Sequence, residues 1–328
     1  MRSEFEFIQH IKKQYSLSAI GDDCAVLPKD SDTDNVVTTD MLVETIDFRL
    51  DWTTPELLGH KALTVSLSDI AAMGAAPRWA MLSIGVPEEL WTTDFLDRFY
   101  DGYIQHAKRA RVELIGGDVS RSPDRLVIDS IVGGEVPKGK AILRSGAKTG
   151  DAIVVTFRLG GAAGGLRLLQ NGRRLTDDLE SWEANLINMQ LQPWPRLGTG
   201  PFLQQIGVIS SMIDISDGVS SDLLHICNAS GVGARLDREK IPIDPNLYHL
   251  WPSPDEQWNA ALNGGEDFEL LFTLPSDQVP QLAENMIGGN DHGLFTVIGE
   301  ITSNPGIIEV VRDGRTEILE PHGFQHFE

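Results

Sequence analysis

The spacing of apolar positions changes period repeatedly along the chain. Short β-branched or apolar runs bounded by Gly, Pro or Asp, at residues 35–43, 79–86, 112–116 and 126–133, predict strands in the first half. Residues 55–73 and 92–109 are long enough, and patterned well enough, to predict helices, with Pro55 near a start and Gly74 at a stop. The second half repeats the style, with strands at 152–157, 233–236, 269–274 and 294–301 and helices at 161–170, 177–190 and 217–229. Interleaved strands and helices in both halves predict an α/β (α+β) chain of two domains. Residues 137–151, PKGKAILRSGAKTGD, gather Lys and Arg among Gly, Ser and Thr unlike anything around them. The boundary is placed there, giving an N-terminal domain over 1–140 and a C-terminal domain over 141–328.

Composition narrows the class. A chain of 328 residues, 41% hydrophobic and 23% charged, has the length for two ordinary cores and the balance of a globular enzyme. Its net charge of −21 leaves no excess of Lys and Arg for nucleic-acid phosphates or an anionic membrane surface. A phosphate ligand would have to be met through metal ions, helix N-termini and a few placed cations. Cys24 and Cys227 alone make no disulfide framework, the N-terminus lacks a secretory apolar core, and no stretch approaches the roughly 20 apolar residues of a membrane span. Cytoplasmic residence is the expectation.

The candidate chemistry lies in acids placed where acids are costly. Asp22, Asp23, Asp40, Asp69, Asp118, Asp214 and Asp217 occupy GDDCAV, TTDMLVE, SLSDIAAMG, GGDVS and IDISDG, at breaks in apolar runs or within them. Leu58, Ala62, Val65 and Asp69 fall at steps of four, three and four, so the Asp69 carboxylate shares the buried stripe of its helix. It also sits near the C-terminus, where the helix dipole disfavours an anion by roughly 0.3–1 kcal/mol. A fraying end that turns Asp69 to solvent is the alternative. Thr38, Thr39 and Asp40 interrupt a strand pattern with oxygen ligands suited to Mg²⁺, although a solvated edge strand would read the same way. Asp22 and Asp23 after Gly21 fit a turn entering a strand. Gly116 and Gly117 permit close backbone approach, and Asp118 is expected at a strand end. Asp217 could cap the helix after it, which would leave Asp214 unexplained, and Glu266 and Asp267 after a Gly pair fit turn chemistry.

Residues 134–140 spell G-x-x-x-x-G-K, but Ala141 replaces the metal-binding hydroxyl and Pro137 lacks an N–H, so no working P-loop is expected. GGAAGG at 160–165 lacks the dinucleotide spacing, and the His and Cys residues show no zinc pattern. Several carboxylates cannot share a pocket with polyphosphate unaided: two like charges 4 Å apart cost about 1 kcal/mol in water and about 4 at an effective dielectric of 20. Mg²⁺ ions bridging carboxylates to phosphates remove the objection. Phosphoryl transfer, chiefly positioning and charge neutralisation, then needs no nucleophile from the protein.

GDDCAV, TTDMLVE, KALTVSLSDIAAMGA, LIGGDVSRS, LRSGAKTGD, IDISDGVSSDL and NGGEDFELLFT together resemble, in order and spacing, the thiamine-monophosphate kinase family. The resemblance runs from about residue 18 to the GFQHF end. It implies the two-domain aminoimidazole-ribonucleotide-synthetase-like architecture, a homodimer formed through the N-terminal sheets, and ATP-dependent conversion of thiamine monophosphate to thiamine diphosphate with release of ADP. It assigns Asp23, Thr38, Thr39, Asp40, Asp69, Asp118, Asp214 and Asp217 to Mg²⁺; Gly117, Asp118, Arg144 and Ser216 to ATP; and Glu266 and Phe324 to the thiamine side. It implies no catalytic nucleophile. Arg144 independently suits phosphate, and Phe324 could stack on a flat ring or pack in a core. One position departs from the family: Glu44-Thr45-Ile46-Asp47-Phe48 stands where E-G-x-H-F is usual, so Asp47 replaces a substrate-contacting histidine. Asp47 could pair with the cationic thiazolium or signal another acceptor. A superfamily relative that uses ATP to activate a different small molecule is the alternative enzyme, though the Lys- or Cys-bearing terminus expected of one is not seen. A non-catalytic nucleotide binder would have broken metal sites, whereas every acid is present.

Overall fold

A computed structural model describes residues 4–286 and 295–324. The first unit runs α1 (Glu4–Tyr15), β1 (Ala25–Pro28), β2 (Thr33–Val43), α2 (Pro55–Ala72), β3 (Ala76–Val86), the single turn α3 (Glu88–Trp91), α4 (Phe95–Ala110), β4 (Glu113–Arg121) and β5 (Val127–Pro137). Its sheet has the order β1-β2-β5-β3-β4, antiparallel except for the β3–β4 pair.

The second unit runs β6 (Asp151–Thr156), α5 (Gly161–Gln170), α6 (Ser181–Leu191), α7 (Thr199–Ile206), β7 (Ser211–Asp214), α8 (Val219–Ser230), β8 (Gly233–Asp237), α9 (Leu247–Leu250), α10 (Pro254–Asn263), β9 (Leu270–Pro275), α11 (Val279–Met286), β10 (Phe295–Thr302), β11 (Ile308–Arg312) and β12 (Arg315–Leu319). Its seven strands are ordered β12-β11-β8-β10-β6-β9-β7, with only β8 and β11 parallel. The expected two-domain α/β architecture is present, with mixed sheets. The strand expected at 294–301 is β10, except that Leu294 lies outside the described residues.

Two sequence expectations are corrected. The strand expected to end at Gly116 continues to Arg121, because β4 stays paired with β3 as far as Val86↔Arg121 after a bulge near Met81. Asp118 is therefore a mid-strand residue, in register with Ser83. The β11–β12 hairpin was not expected from its charged strands, yet Asp313 and Gly314 join them with φ of 50° and 73°. Asp-Gly is the usual pair for a two-residue hairpin turn with both centres left-handed.

Period-two alternation gives the first sheet two different faces. Val36, Thr38 and Leu42 of β2, Ala80, Leu82 and Ile84 of β3, and Ile128, Ser130 and Val132 of β5 are buried. On the other face Met41 is 60% exposed, and along the edge strand β4 Ile115 and Val119 are also exposed.

Helix α2 starts at Thr54, whose hydroxyl accepts from the Leu57 amide at 3.3 Å, with Pro55 supplying a preset φ. It is buried almost throughout, from Leu58 to Ala72. Glycine permits this. A Cβ on Gly59 would lie 2.1 Å from Phe99 O, one on Gly102 would lie 1.9 Å from Glu56 O, and one on Gly200 of α7 would lie 2.0 Å from Ala71 O. Ala71 and Ala72 join Met212, Leu203 and Phe272 in an apolar cluster shared by both domains. Beside this crossing, His60 and His106 stack at 3.8 Å, and His60 Nε2 lies 2.7 Å from Pro193 O. Burial holds the His106 imidazole down to about 3. Gly102→Ala is expected to lower stability by about 3 kcal/mol, since backbone rather than a movable side chain blocks the new methyl. A urea titration with an unchanged midpoint would show that α2 and α4 can separate freely.

Candidate functional site

Helix α2 carries acids and hydroxyls to the seam between the domains, and loops from both domains meet them there. Ser68 Oγ donates to Asp214 Oδ2 at 2.6 Å, joining α2 to the end of β7. Thr38 Oγ1 donates to Asp69 Oδ2 at 2.5 Å, and Ser66 Oγ to Asp40 Oδ2 at 2.8 Å, joining α2 to β2. Asp23, in the loop before β1, takes the Arg144 guanidinium on Oδ1 at 2.6 and 3.1 Å. The neighbouring Asp22 accepts from the Arg144 amide at 2.7 Å, so the basic segment between the domains is tied to the GDD turn. One carboxylate oxygen each of Asp23, Asp69 and Asp214 lies within 4.8 Å of the other two.

These carboxylates are destabilised as anions in the metal-free protein. Burial, then Asp40, Asp214 and Asp23, push Asp69 well above the usual range. Burial and Asp23 push Asp214 up to about 8, and burial brings Asp40 up to about 6 against the Ser66 hydrogen bond. Burial raises Asp23 despite Arg144, and its Oδ2 is buried with no hydrogen-bond partner among the described residues. Convergent oxygen ligands, an unmatched lone-pair oxygen and suppressed ionisation are the donor set a hard divalent cation would satisfy.

A second group adjoins the first. Asp217, Asp222 and His225 each place one ligand atom within 4.8 Å of the others. Asp222, 1% exposed, accepts from the Asp217 amide at 3.3 Å and the Gly218 amide at 3.1 Å. The start of α8 is thus closed by Asp222, and its N-cap, Gly218, makes no side-chain cap. The spacing of Asp222 and His225, three apart on one helix, is the sequence signal that marks this group.

Thr39 and Asp118 do not join either cluster through their side chains. Thr39 Oγ1 donates instead to Asp129 Oδ1 at 2.6 Å on the outer face of the sheet, because strand alternation points it away from Thr38 and Asp40. Asp118 is exposed on the edge strand β4. Gly117 is required there, since a Cβ would lie 1.9 Å from Leu82 O.

The GGEDF loop is zipped to the loop before α8. Glu266 N donates to Ser216 O at 2.8 Å and Phe268 N to Ile215 O at 2.9 Å, with Glu266 and Phe268 held at φ of 66° and 50°. Asp267 accepts from the Gly160 and Ala162 amides at 2.6 and 3.2 Å, so two of the amides of GGAAGG are already occupied. Glu266 faces the first domain: its Oε1 is 2.6 Å from Lys61 Nζ, and its Oε2 accepts from Gln190 Nε2. Neither Lys61 nor Gln190 carried a sequence signal, since their partner is distant along the chain.

Beside this pair, Asp47, Phe48, Trp52, Leu58, Lys61 and Gln190 line a small cleft. Asp47 is turned partly back on its own loop, with Oδ2 accepting from the Val43 amide at 2.7 Å. Phe324 is 47% exposed, not core. The tail before it is pinned to α8 where His322 N and O bond Ser220 Oγ at 3.1 and 2.7 Å.

Comparison with known proteins adds a family to this geometry. The N-terminal domain of the AIR synthase related proteins matches residues 21–136, and the C-terminal domain of the same family matches residues 148–312. The thiamine-monophosphate kinase of Escherichia coli K12 is 39% identical over 311 residues, covering 94% of this chain and 91% of that protein. That of Bacillus subtilis is 36% identical over 315 residues, covering 94% and 93%. A solved structure described as AaThiL complexed with AMPPCP and TMP superposes with a TM-score of 0.86 at 32% identity, covering 99% of this chain and 97% of that one.

Proposed function

The chain belongs to the thiamine-monophosphate kinase family of AIR synthase related proteins, and from that premise we propose that it transfers the γ-phosphoryl group of ATP to thiamine monophosphate, giving thiamine diphosphate and ADP. The observation that carries the mechanism is the meeting of Asp23, Asp69 and Asp214 at the seam between domains, with Asp40 close enough to act on Asp69. The acceptor is itself a phosphate, so no protein nucleophile is needed, and direct in-line transfer suits a site without one.

Asp23, Asp40, Asp69 and Asp214, with the Thr38 hydroxyl and Asp217 at the margin, would hold Mg²⁺. The bound ions supply charge neutralisation between the carboxylates and the phosphate oxygens. Ser66 and Ser68 of the buried helix α2 and Thr38 of β2 fix the carboxylate rotamers by hydrogen bonds. Arg144 offers its remaining donors to the nucleotide phosphates, and Ser216 sits on the loop zipped to GGEDF. Asp47, Glu266 and Phe324 remain the residues proposed for the thiamine side. Gly117 and Asp118, proposed for ATP, stand on the edge strand β4, where Asp118 is exposed and outside the Asp23, Asp69 and Asp214 group. Met41 exposed on the outer face, and Ile115 and Val119 exposed along the edge strand β4, support a homodimer formed through that sheet. Two buried, unpaired cysteines, and no described helix long and apolar enough to cross a membrane, support a cytoplasmic site of action.

The test is ADP release by the purified protein with MgATP, with and without thiamine monophosphate, the product being identified by chromatography. Thiamine diphosphate formed in step with ADP is the expected result. Binding of MgATP with no stimulation by thiamine monophosphate would transfer the cluster's chemistry to another acceptor.

A further inference from the structure

We propose that Gln190 recognises the amino group of the acceptor's aminopyrimidine ring and thereby selects that ring; the proposal rests on the kinase reading above. Gln190 comes from α6 of the second domain and is 4% exposed. Its amide orientation is not a free choice. Nε2 donates to Glu266 Oε2, and a flipped amide would set Oε1 against a carboxylate that only accepts. Glu266 is fixed in turn by the buried Lys61, so this polarity is imposed from two sides.

The consequence is a carbonyl oxygen directed away from Glu266. Gln190 Oε1 is buried, and no donor among the described residues reaches it. Buried acceptors are satisfied in nearly all proteins, and one beside a cleft is a place for a ligand's donor. The same side chain lines the cleft with the apolar side chains of Trp52, Leu58 and Leu191. The acceptor has one suitable donor for a neutral carbonyl: its thiazolium carries no N–H and its phosphate is an anion, whereas the exocyclic amine of the pyrimidine has two N–H groups. An amine N–H to Oε1, with the ring against these apolar side chains, satisfies both partners.

The test compares thiamine monophosphate with its 4-oxo analogue, in which a carbonyl replaces the amine and the phosphate is unchanged. Wild-type protein is expected to prefer the amine by about 100-fold in kcat/KM, because a site built to bond a polar group rejects an analogue lacking it. Gln190→Met, which keeps length and removes the acceptor, is expected to raise KM for thiamine monophosphate about tenfold. It should also narrow the preference to about threefold, with KM for MgATP unaltered. An unchanged preference in a folded Gln190→Met protein overturns the proposal. So does a wild-type protein that treats both acceptors alike, a result that does not depend on the variant folding. Wild-type protein that makes no thiamine diphosphate overturns the kinase reading and this proposal together, so the two failures are distinguishable.

Discussion

Asp69→Asn is expected to reduce turnover by at least about a thousandfold while leaving the metal-free protein as stable as before, or more stable. The loss follows from the position of Asp69 between Thr38 and the Asp23 and Asp214 carboxylates, where one charge fewer weakens the hold on every cation the phosphates require. A thousandfold corresponds to about 4 kcal/mol of transition-state stabilisation, the scale seen when one preorganised charge-stabilising group is removed. The stability side has the opposite sign. In the absence of cations burial and three neighbouring aspartates disfavour the Asp69 anion. Asparagine keeps the shape and can still accept the Thr38 hydroxyl, while removing the repulsion. ADP release and the melting temperature in EDTA are the two measurements. A folded variant with more than a tenth of wild-type turnover would sink the metal-cluster argument, and a sharp fall in the EDTA melting temperature would make Asp69 a structural residue.

Raising the pH from 7 to 8.5 in EDTA is expected to destabilise the wild-type protein, and Mg²⁺ to reverse the effect. The folded state holds Asp214 at about 8 and Asp40 at about 6, against an ordinary 3.8. Between those limits the folded protein binds more protons than the unfolded chain, so the slope of unfolding free energy against pH is negative. The stabilisation is complete below about 4 and is lost as pH rises through about 6 and then about 8. Each proton involved contributes about 1.4 kcal/mol per pH unit. His106, held down to about 3, has the contrary slope, but only below its unfolded value near 6.5. The window above pH 7 therefore lies clear of the histidines. Mg²⁺ binds the deprotonated carboxylates, so its stabilising shift should grow with pH. Thermal melts at pH 7, 7.75 and 8.5, with EDTA and with MgCl₂, decide the matter. An EDTA melting temperature that climbs with pH would show that the cluster is already ionised and balanced without metal.

Much of the architecture could be read before the structure, because it depends on local periodicity. Asp69 fell on the buried stripe of α2, and the Pro55 start and Gly74 stop of that helix were visible in four or five residues. Thr38, Thr39 and Asp40 were read as a single patch, although period-two alternation separates Thr39 from its neighbours. The length of β4 was not available, since its continuation through GGDVSR depends on pairing with β3, some thirty-five residues earlier in sequence. The Lys61–Glu266–Gln190 contact joins three segments from two domains. Nothing in the local pattern around any one of them distinguishes it from an ordinary surface charge or amide, and only the folded chain brings them together.

Helix α2 is walled in by α4, by the first sheet and by the second domain, and at Gly59, Gly102 and Gly200 its neighbours approach backbone to backbone. Such a segment has no route to partial exposure. Its amide hydrogens should exchange with solvent only when the whole molecule opens, whereas loops and edge strands exchange through small local fluctuations. Ser66, Ser68 and Asp69 therefore belong to the slowest-exchanging cooperative unit of the protein. A fluctuation that disorders these side chains must also part the two domains, so the catalytic geometry should persist until global unfolding instead of eroding gradually with temperature.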